Sequence, residues 1–176
     1  IIQHADFFVE FAKFTLTVLD TVVLKNPAYV DLILSDVYTH RCYSMGTVDT
    51  ANKVNFYDGM VRVVDPEGKE FVKYHPRDYL QVLAEHVEPW TYLKFPYLKQ
   101  VGWKGLVDGK DSGVYRATPL SRLNAADGMA TPLAQQEYER MYSTLGGKPV
   151  HQTLATHWAR VIEIMYAAER TQELAR

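Results

Sequence analysis

The sequence is poorest in cysteine: among 176 residues there is one, Cys42. A single thiol excludes an intrachain disulfide, a four-cysteine zinc site and a cysteine-ligated cluster completed by this chain alone. An excess of one charge is also lacking. Lys and Arg number 19 against 21 Asp and Glu, a formal net charge of −2, and no basic block is present that would neutralise a run of phosphates. Nucleic acid is therefore not an expected partner. Long apolar runs are missing too. Phe7, Phe8, Val9, Phe11, Phe14, Leu16, Val18 and Leu19 suggest a membrane span until Asp6, Glu10, Lys13, Thr17 and Asp20 are set among them. No internal repeat and no low-complexity linker is visible. The chain opens Ile1-Ile2-Gln3-His4, without Met or a basic n-region, and closes at Ala175-Arg176 in a helical pattern. Both ends are expected to be cut from something longer.

What is present is a core. With 47% hydrophobic and 12% aromatic residues, the length suits one domain spanning residues 1–176. From Asp6 to Leu24 the five polar side chains fall in one stripe about 80° wide on a helix, leaving most of the circumference apolar. This predicts a helix buried on about three sides, either centrally in the domain or under missing sequence or another subunit. Asn26-Pro27 breaks it, and a short helix over 28–37 precedes a polar stretch, 39–55. Asp65-Pro66-Glu67-Gly68 suits a type I turn and predicts a β-hairpin between 59–64 and 69–74. Pro76 is expected to open a helix running to about Glu88, where Pro89 stops it. Residues 89–130 show neither period and read as a long ordered loop. Helices from Pro132 to about Leu145 and from Pro149 to about Leu174 complete the chain, parted by Gly146-Gly147. The expected fold class is mainly α with a small inserted β-hairpin (α+β).

Chemistry is sparse. None of the six histidines stands three or four residues from another, so zinc chemistry of the His-x-x-x-His kind has no support. Gly105 to Ser112 has three residues between Gly105 and Gly109 and Asp111 after Lys110, a charged loop more than a phosphate loop. Ser44 and Ser121 sit in no nucleophile elbow. Glu85, His86 and Glu88 suit either acid/base work or a solvated helix terminus. Cys42 follows His40 and Arg41, which can depress a thiol pKa, yet a lone Cys is more often a small buried hydrophobe. In the last helix Leu154, Trp158, Val161, Ile162, Met165 and Ala168 share an arc of about 120°, with His157, Arg160 and Glu163 on another. That triplet reads first as a wet face with an ordinary Arg160–Glu163 pair. Glu169 projects into the apolar arc, where an acid must find a partner or stay near the surface.

Four separated stretches resemble, in order, the large subunit of nickel-iron hydrogenases of the cytoplasmic, heteromultimeric branch. They are Leu154-Ala155-Thr156-His157-Trp158-Ala159-Arg160-Val161-Ile162-Glu163, continued by Met165 to Glu169; the run from Gly113 to Asn124; Asn55-Phe56-Tyr57-Asp58-Gly59; and Trp90-Thr91-Tyr92-Leu93-Lys94. Ala117-Thr118 and Ser121 depart from the usual family pattern. The resemblance implies an internal part of such a subunit, the helical core of something larger. A nickel-iron centre would be held by two Cys-x-x-Cys pairs outside this chain, with no cofactor or metal in the chain itself. It implies reversible H2 oxidation by the parent, this part alone being inactive, with electrons passed to an iron-sulfur small subunit, then to further electron-transfer subunits. It also implies a cytoplasmic location without a membrane span. On that reading His157, Arg160 and Glu163 turn toward the buried interior and orient the metal site by hydrogen bonds. The alternatives are a metal-free related subunit of a respiratory quinone-reducing complex, or a stand-alone helical interaction domain.

Overall fold

The computed structural model describes every residue from Ile1 to Arg176. In chain order the elements are α1 (Ala5–Val18), α2 (Pro27–Leu34), β1 (Tyr43–Val48), β2 (Met60–Val64), β3 (Glu70–Tyr74), α3 (Tyr79–Val82), β4 (Leu83–Val87), β5 (Lys94–Leu98), β6 (Tyr115–Arg116), α4 (Pro119–Ala125), α5 (Pro132–Thr144) and α6 (Thr156–Ala175). They divide into two compact units, one formed by Ile1–Thr39 with Gly128–Arg176, the other by His40–Asp127.

The first unit is helical. The helix α1 continues into a π-helical segment, Leu19–Leu24, and Asn26 then caps α2, its side-chain oxygen accepting the N–H of Ala28 at 3.1 Å with Pro27 at the first turn. Small and branched residues of α1 are buried where it packs on α6, namely Ala5, Val9 and Ala12. On the other side α6 packs on α5. The three-sided burial expected of α1 is not met. One face is covered, one is charged, and the face bearing Phe7, Phe11, Phe14 and Val18 lies open. The last helix begins at Thr156, after a short 3-10 turn, not at Pro149.

The second unit holds two sheets. A mixed sheet runs β3-β2-β1-β6, with β1 antiparallel to β2 (Ser44 opposite Val64) and parallel to β6 (Tyr43 opposite Tyr115). The second sheet pairs β4 with β5. The hairpin of β2 and β3 forms around the expected turn. The Gly68 N–H donates to the Asp65 carbonyl at 2.9 Å, the Asp65 carboxylate accepts the N–H groups of Glu67 and Lys69, and Gly68 takes a φ of 83°. Tyr43, Met45, Val63, Tyr74 and Leu98 form one buried apolar cluster of this unit.

These sheets correct the mainly α, single-hairpin expectation: the fold is α/β. The reason lies in pairing between distant residues. Residues 43–48 read as part of a polar stretch, yet Tyr43, Ser44, Met45, Gly46 and Val48 are all buried, because β1 lies in the sheet interior with neighbours on both edges. The helix expected from Pro76 to Glu88 lasts only through α3, and Leu83–Val87 is drawn out into β4 by its pairing with β5. Residues 89–130 likewise contain β5, β6 and α4.

Candidate functional site

The polar triplet of α6 does not act as one face. His157 and Arg160 are exposed, whereas Glu163, one turn further, is buried at the margin of the covered arc. Trp158, Ile162 and Met165 point inward as their spacing requires, with Val161 half-buried. His157 also lines an apolar groove of about 260 Å³ with Leu19, Val23, Leu32, Leu154 and Trp158.

Inside this unit the helices are joined by carboxylates that the sequence only partly signals. Glu169, expected either to find a partner or to stay near the surface, is buried and has three partners: it accepts the backbone N–H groups of Leu133 and Ala134, each at 3.0 Å, and the Thr131 hydroxyl. Thr131 is the N-cap of α5, so a side chain of α6 closes the open end of α5. Glu137 of α5 accepts the Trp158 indole N–H at 2.6 Å, and Arg140 lies over the Trp158 ring at 5.3 Å while bonding Asp20 and Glu137. Burial pushes the Glu137 carboxyl above its ordinary pKa, against the Trp158 hydrogen bond and the Arg140 charge. Sequence reading missed Glu137 and Arg140, which stand at an ordinary i,i+3 spacing.

In the second unit the other candidates separate. His86 and Glu88 do come together, Nε2 to Oε1 at 2.8 Å, but His86 lies on β4 and not at a helix end. Its ring stacks on Trp103, centroids 4.7 Å apart and planes at 18°, while Glu85 pairs with Lys94 instead. Cys42 is buried, and desolvation raises its thiol pKa against the opposing influence of Arg116, so it is a core residue without an activated thiolate. The Gly105–Ser112 loop is a charged loop. Lys110 is held by Asp65 and Glu67, Asp108 lies against Arg41, and the Ser112 hydroxyl donates to the Gly105 carbonyl at 2.6 Å. A further residue unmarked by any motif is Arg62, nearly fully buried, which donates to Glu70 (2.7 Å), Asp127 (2.8 Å) and the Ala125 carbonyl (3.0 Å). The signal was a charge inside the apolar strand Met60-Val61-Arg62-Val63-Val64.

No family model matches the chain. Over 168 residues it is 45% identical to the iron-sulfur subunit of the F420-non-reducing hydrogenase of Archaeoglobus profundus, a match covering 96% of this chain and 34% of that one. It is 39% identical over 131 residues to the beta subunit of the NAD-reducing hydrogenase HoxS of Cupriavidus necator, covering 74% of this chain and 25% of the relative. A solved structure of an NAD+-reducing [NiFe]-hydrogenase in the H2-reduced state superposes with a TM-score of 0.85 at 28% identity, over 99% of this chain and 36% of that one. The chain spans about a third of the length of the first of these relatives.

These relatives correct the assignment drawn from the resemblance. They are designated an iron-sulfur subunit in one case and a beta subunit in the other, not a nickel-iron large subunit. The large-subunit identity, the H2-catalysing role and the nickel-iron cofactor are therefore not retained, and neither are the respiratory and stand-alone alternatives offered beside them. Because the iron-sulfur designation falls on the relative itself, a separate iron-sulfur small subunit is not retained as the partner either. An iron-sulfur cluster does not fit the residues present. Such clusters are held by four ligands, mostly or all cysteine thiolates, the one cysteine here is buried in the β-sheet unit, and no group of three His, Cys, Asp or Glu is placed to hold a metal. No helix is long and apolar enough to cross a membrane. The chain is thus similar, over nearly all of its length, to about one third of one subunit of multisubunit hydrogenases.

Proposed function

We propose that this chain is a framework segment of a hydrogenase complex, an oxidoreductase assembly in which it works beside electron-transfer subunits. The observation that carries this is the 45% identity to a hydrogenase subunit over 96% of the chain. The side chains that bind its helices together support the reading. Glu169 holds the first turn of α5, while Glu137 pairs with Arg140 and takes the Trp158 indole, a use of charge that builds scaffold. In this role the chain contributes shape and docking surface, and the redox groups are held by other parts of the assembly. A cytoplasmic location belongs to the same proposal.

Exposed His157 and Arg160, with Glu163 buried beside them, are proposed as positioning residues on α6 that meet a neighbouring part of the complex. The framework reading is tested by tagging the subunit that carries this segment and purifying it under native conditions. The expected result is co-purification with hydrogenase subunits and H2-dependent reduction of a redox dye by the isolated complex. Purification alone, with no H2-dependent dye reduction in the tagged fraction, would overturn it.

A further inference from the structure

The open face of α1 is organised, not incidental. At 100° per residue Phe7, Phe11, Phe14 and Val18 fall within about 60° of the circumference, nearly opposite the buried Ala5, Val9 and Ala12. Asp6, Glu10, Lys13 and Thr17 lie in a separate stripe between those two faces. The phenyl rings touch one another, with centroids 6.3 Å apart for Phe7 and Phe11 and 6.4 Å for Phe11 and Phe14. They remain 63%, 51% and 60% exposed at Phe7, Phe11 and Phe14. With Phe8 the four rings leave on the order of 400 Å² of apolar surface in water, as large as the largest patch on a typical monomer. Beside Phe8 and Phe11 the surface dips into a groove of about 390 Å³, whose other wall is Ile164, Ala168 and Thr171 of α6.

What occupies this face is indicated by its position. Ile1 itself lines the groove, and the Arg176 guanidinium donates to the Asp6 carboxylate at 2.8 Å, with Gln172 bonded to the same carboxylate. Ile1 and Arg176 thus each lie beside the Phe-lined helix α1. In the Archaeoglobus relative about two thirds of the polypeptide lies outside the matched span, which takes up 96% of this chain. Polypeptide added at either end departs from beside α1, at high effective concentration for this face.

We infer that the Phe7–Phe11–Phe14 face of α1, with the α1–α6 groove, seats an apolar helical segment of the same polypeptide, from the part that lies outside the span matched in the longer relatives. The face has no charge to pair and offers i, i+4, i+7 anchors, which is the surface that helix packing covers. The inference rests on the reading that the chain is part of a longer hydrogenase subunit.

The test is thiol accessibility in the full-length subunit, using Phe11→Cys, with Tyr57→Cys, 96% exposed, as a control in the other unit. The probe is a maleimide, applied to the 176-residue chain and to the isolated full-length subunit. Labelling at Phe11→Cys is expected to be on the order of 100-fold slower in the full-length subunit than in the short chain, at every protein concentration, while Tyr57→Cys labels fast in both. Fast labelling in the isolated full-length subunit overturns the inference. So does protection that appears only at high concentration, which means a second copy, or only when other subunits are added, which means a partner. Fast labelling in a subunit that still assembles and reduces dye with H2 sinks this inference alone and leaves the framework reading standing.

Discussion

The carboxylate of Glu169, on α6, accepts the backbone N–H of Ala134 at 3.0 Å in the first turn of α5. The same group takes the Leu133 N–H and the Thr131 hydroxyl, so one acid from a distant helix does the work that a local N-cap side chain ordinarily does. Glu169→Gln keeps an acceptor oxygen but loses the charge facing the helix N-terminus, and it should cost about 1 kcal/mol. Glu169→Leu leaves the buried Ala134 N–H and the partly buried Leu133 N–H without this acceptor, and it should cost about 3 kcal/mol. Urea unfolding of both variants checks this ordering. A leucine variant as stable as the glutamine variant would rule the capping account out.

The burial of Glu137 sets the sign of the pH dependence that it contributes to the fold. Burial raises its pKa in the folded protein, so the folded chain binds that proton more tightly than the unfolded chain does. Its contribution is therefore unfavourable while the pH stays above the raised folded value. It is relieved as the pH falls through that value toward the ordinary carboxylate range. In Glu137→Gln, which keeps an acceptor for the Trp158 indole, this slope should vanish. Measured by denaturant midpoints between about pH 4 and about pH 8, the wild type should gain on the glutamine variant as pH falls. Parallel curves would refute the assignment.

How far these features could be read in advance depended on whether the signal was local. The hairpin turn was legible because Asp65, Pro66 and Gly68 are sufficient to set it. That Glu169 must find a partner or stay near the surface was legible from helix geometry, but not the partner itself, since nothing near residue 169 names Thr131. The strand β1 was hidden for the opposite reason. Ser44, Gly46 and Thr47 carry no hydrophobic alternation, and only flanking strands and α4 make that backbone buried. Pairing across the sheet also overrode the apparent helix at 83–87, where His86 and Phe95 face each other across the ladder. In the site, His157, Arg160 and Glu163 share an arc by periodicity, yet exposure divides them, because which part of an arc is covered depends on α1 and α5.

Gly46 is a place where close packing can be tested. A Cβ built there would lie 2.8 Å from the Arg122 Cα and 3.1 Å from its carbonyl oxygen, both backbone atoms of α4. Neither the strand nor the helix can yield without moving as a body. Gly46→Ala should therefore destabilise the protein by about 1–3 kcal/mol. A thermal scan of Gly46→Ala beside Gly146→Ala separates crowding from strain. At Gly146 nothing lies within 4 Å, but φ is +89°, so its cost arises from the backbone alone.

Arg62 is expected to matter more than any exposed cation. Its guanidinium is buried and meets two carboxylates and the Ala125 carbonyl, which ends α4. Arg62→Met removes the donor to the Ala125 carbonyl and breaks both charged hydrogen bonds, although Glu70 and Asp127 are half exposed and Asp127 keeps its bond from Asn52, at a cost of about 2 kcal/mol. Lys94→Met breaks an exposed pair with Glu85, and its cost should stay under about 1 kcal/mol. If urea midpoints place the two variants together, the buried network has no special role in holding β2, β3 and the end of α4.

Arg160 carries the test of the proposed positioning face. It is exposed on α6, so replacing it disturbs little of the helix itself. In the assembled hydrogenase, Arg160→Leu should lower H2-dependent dye reduction by about tenfold, roughly the loss of one charged hydrogen bond to a neighbour. Lys69→Ala, an exposed change in the hairpin turn, should leave the rate near wild type. The conservative Arg160→Lys should recover part of the loss if charge is what the neighbour reads, whereas a purely steric contact would not be rescued. Thermal unfolding of the isolated chain supplies the second readout. A positioning role predicts unchanged stability in Arg160→Leu, so a lowered melting temperature matching the lost rate would assign the effect to folding. Equal rates for Arg160→Leu and Lys69→Ala would remove α6 from the working surface of the complex.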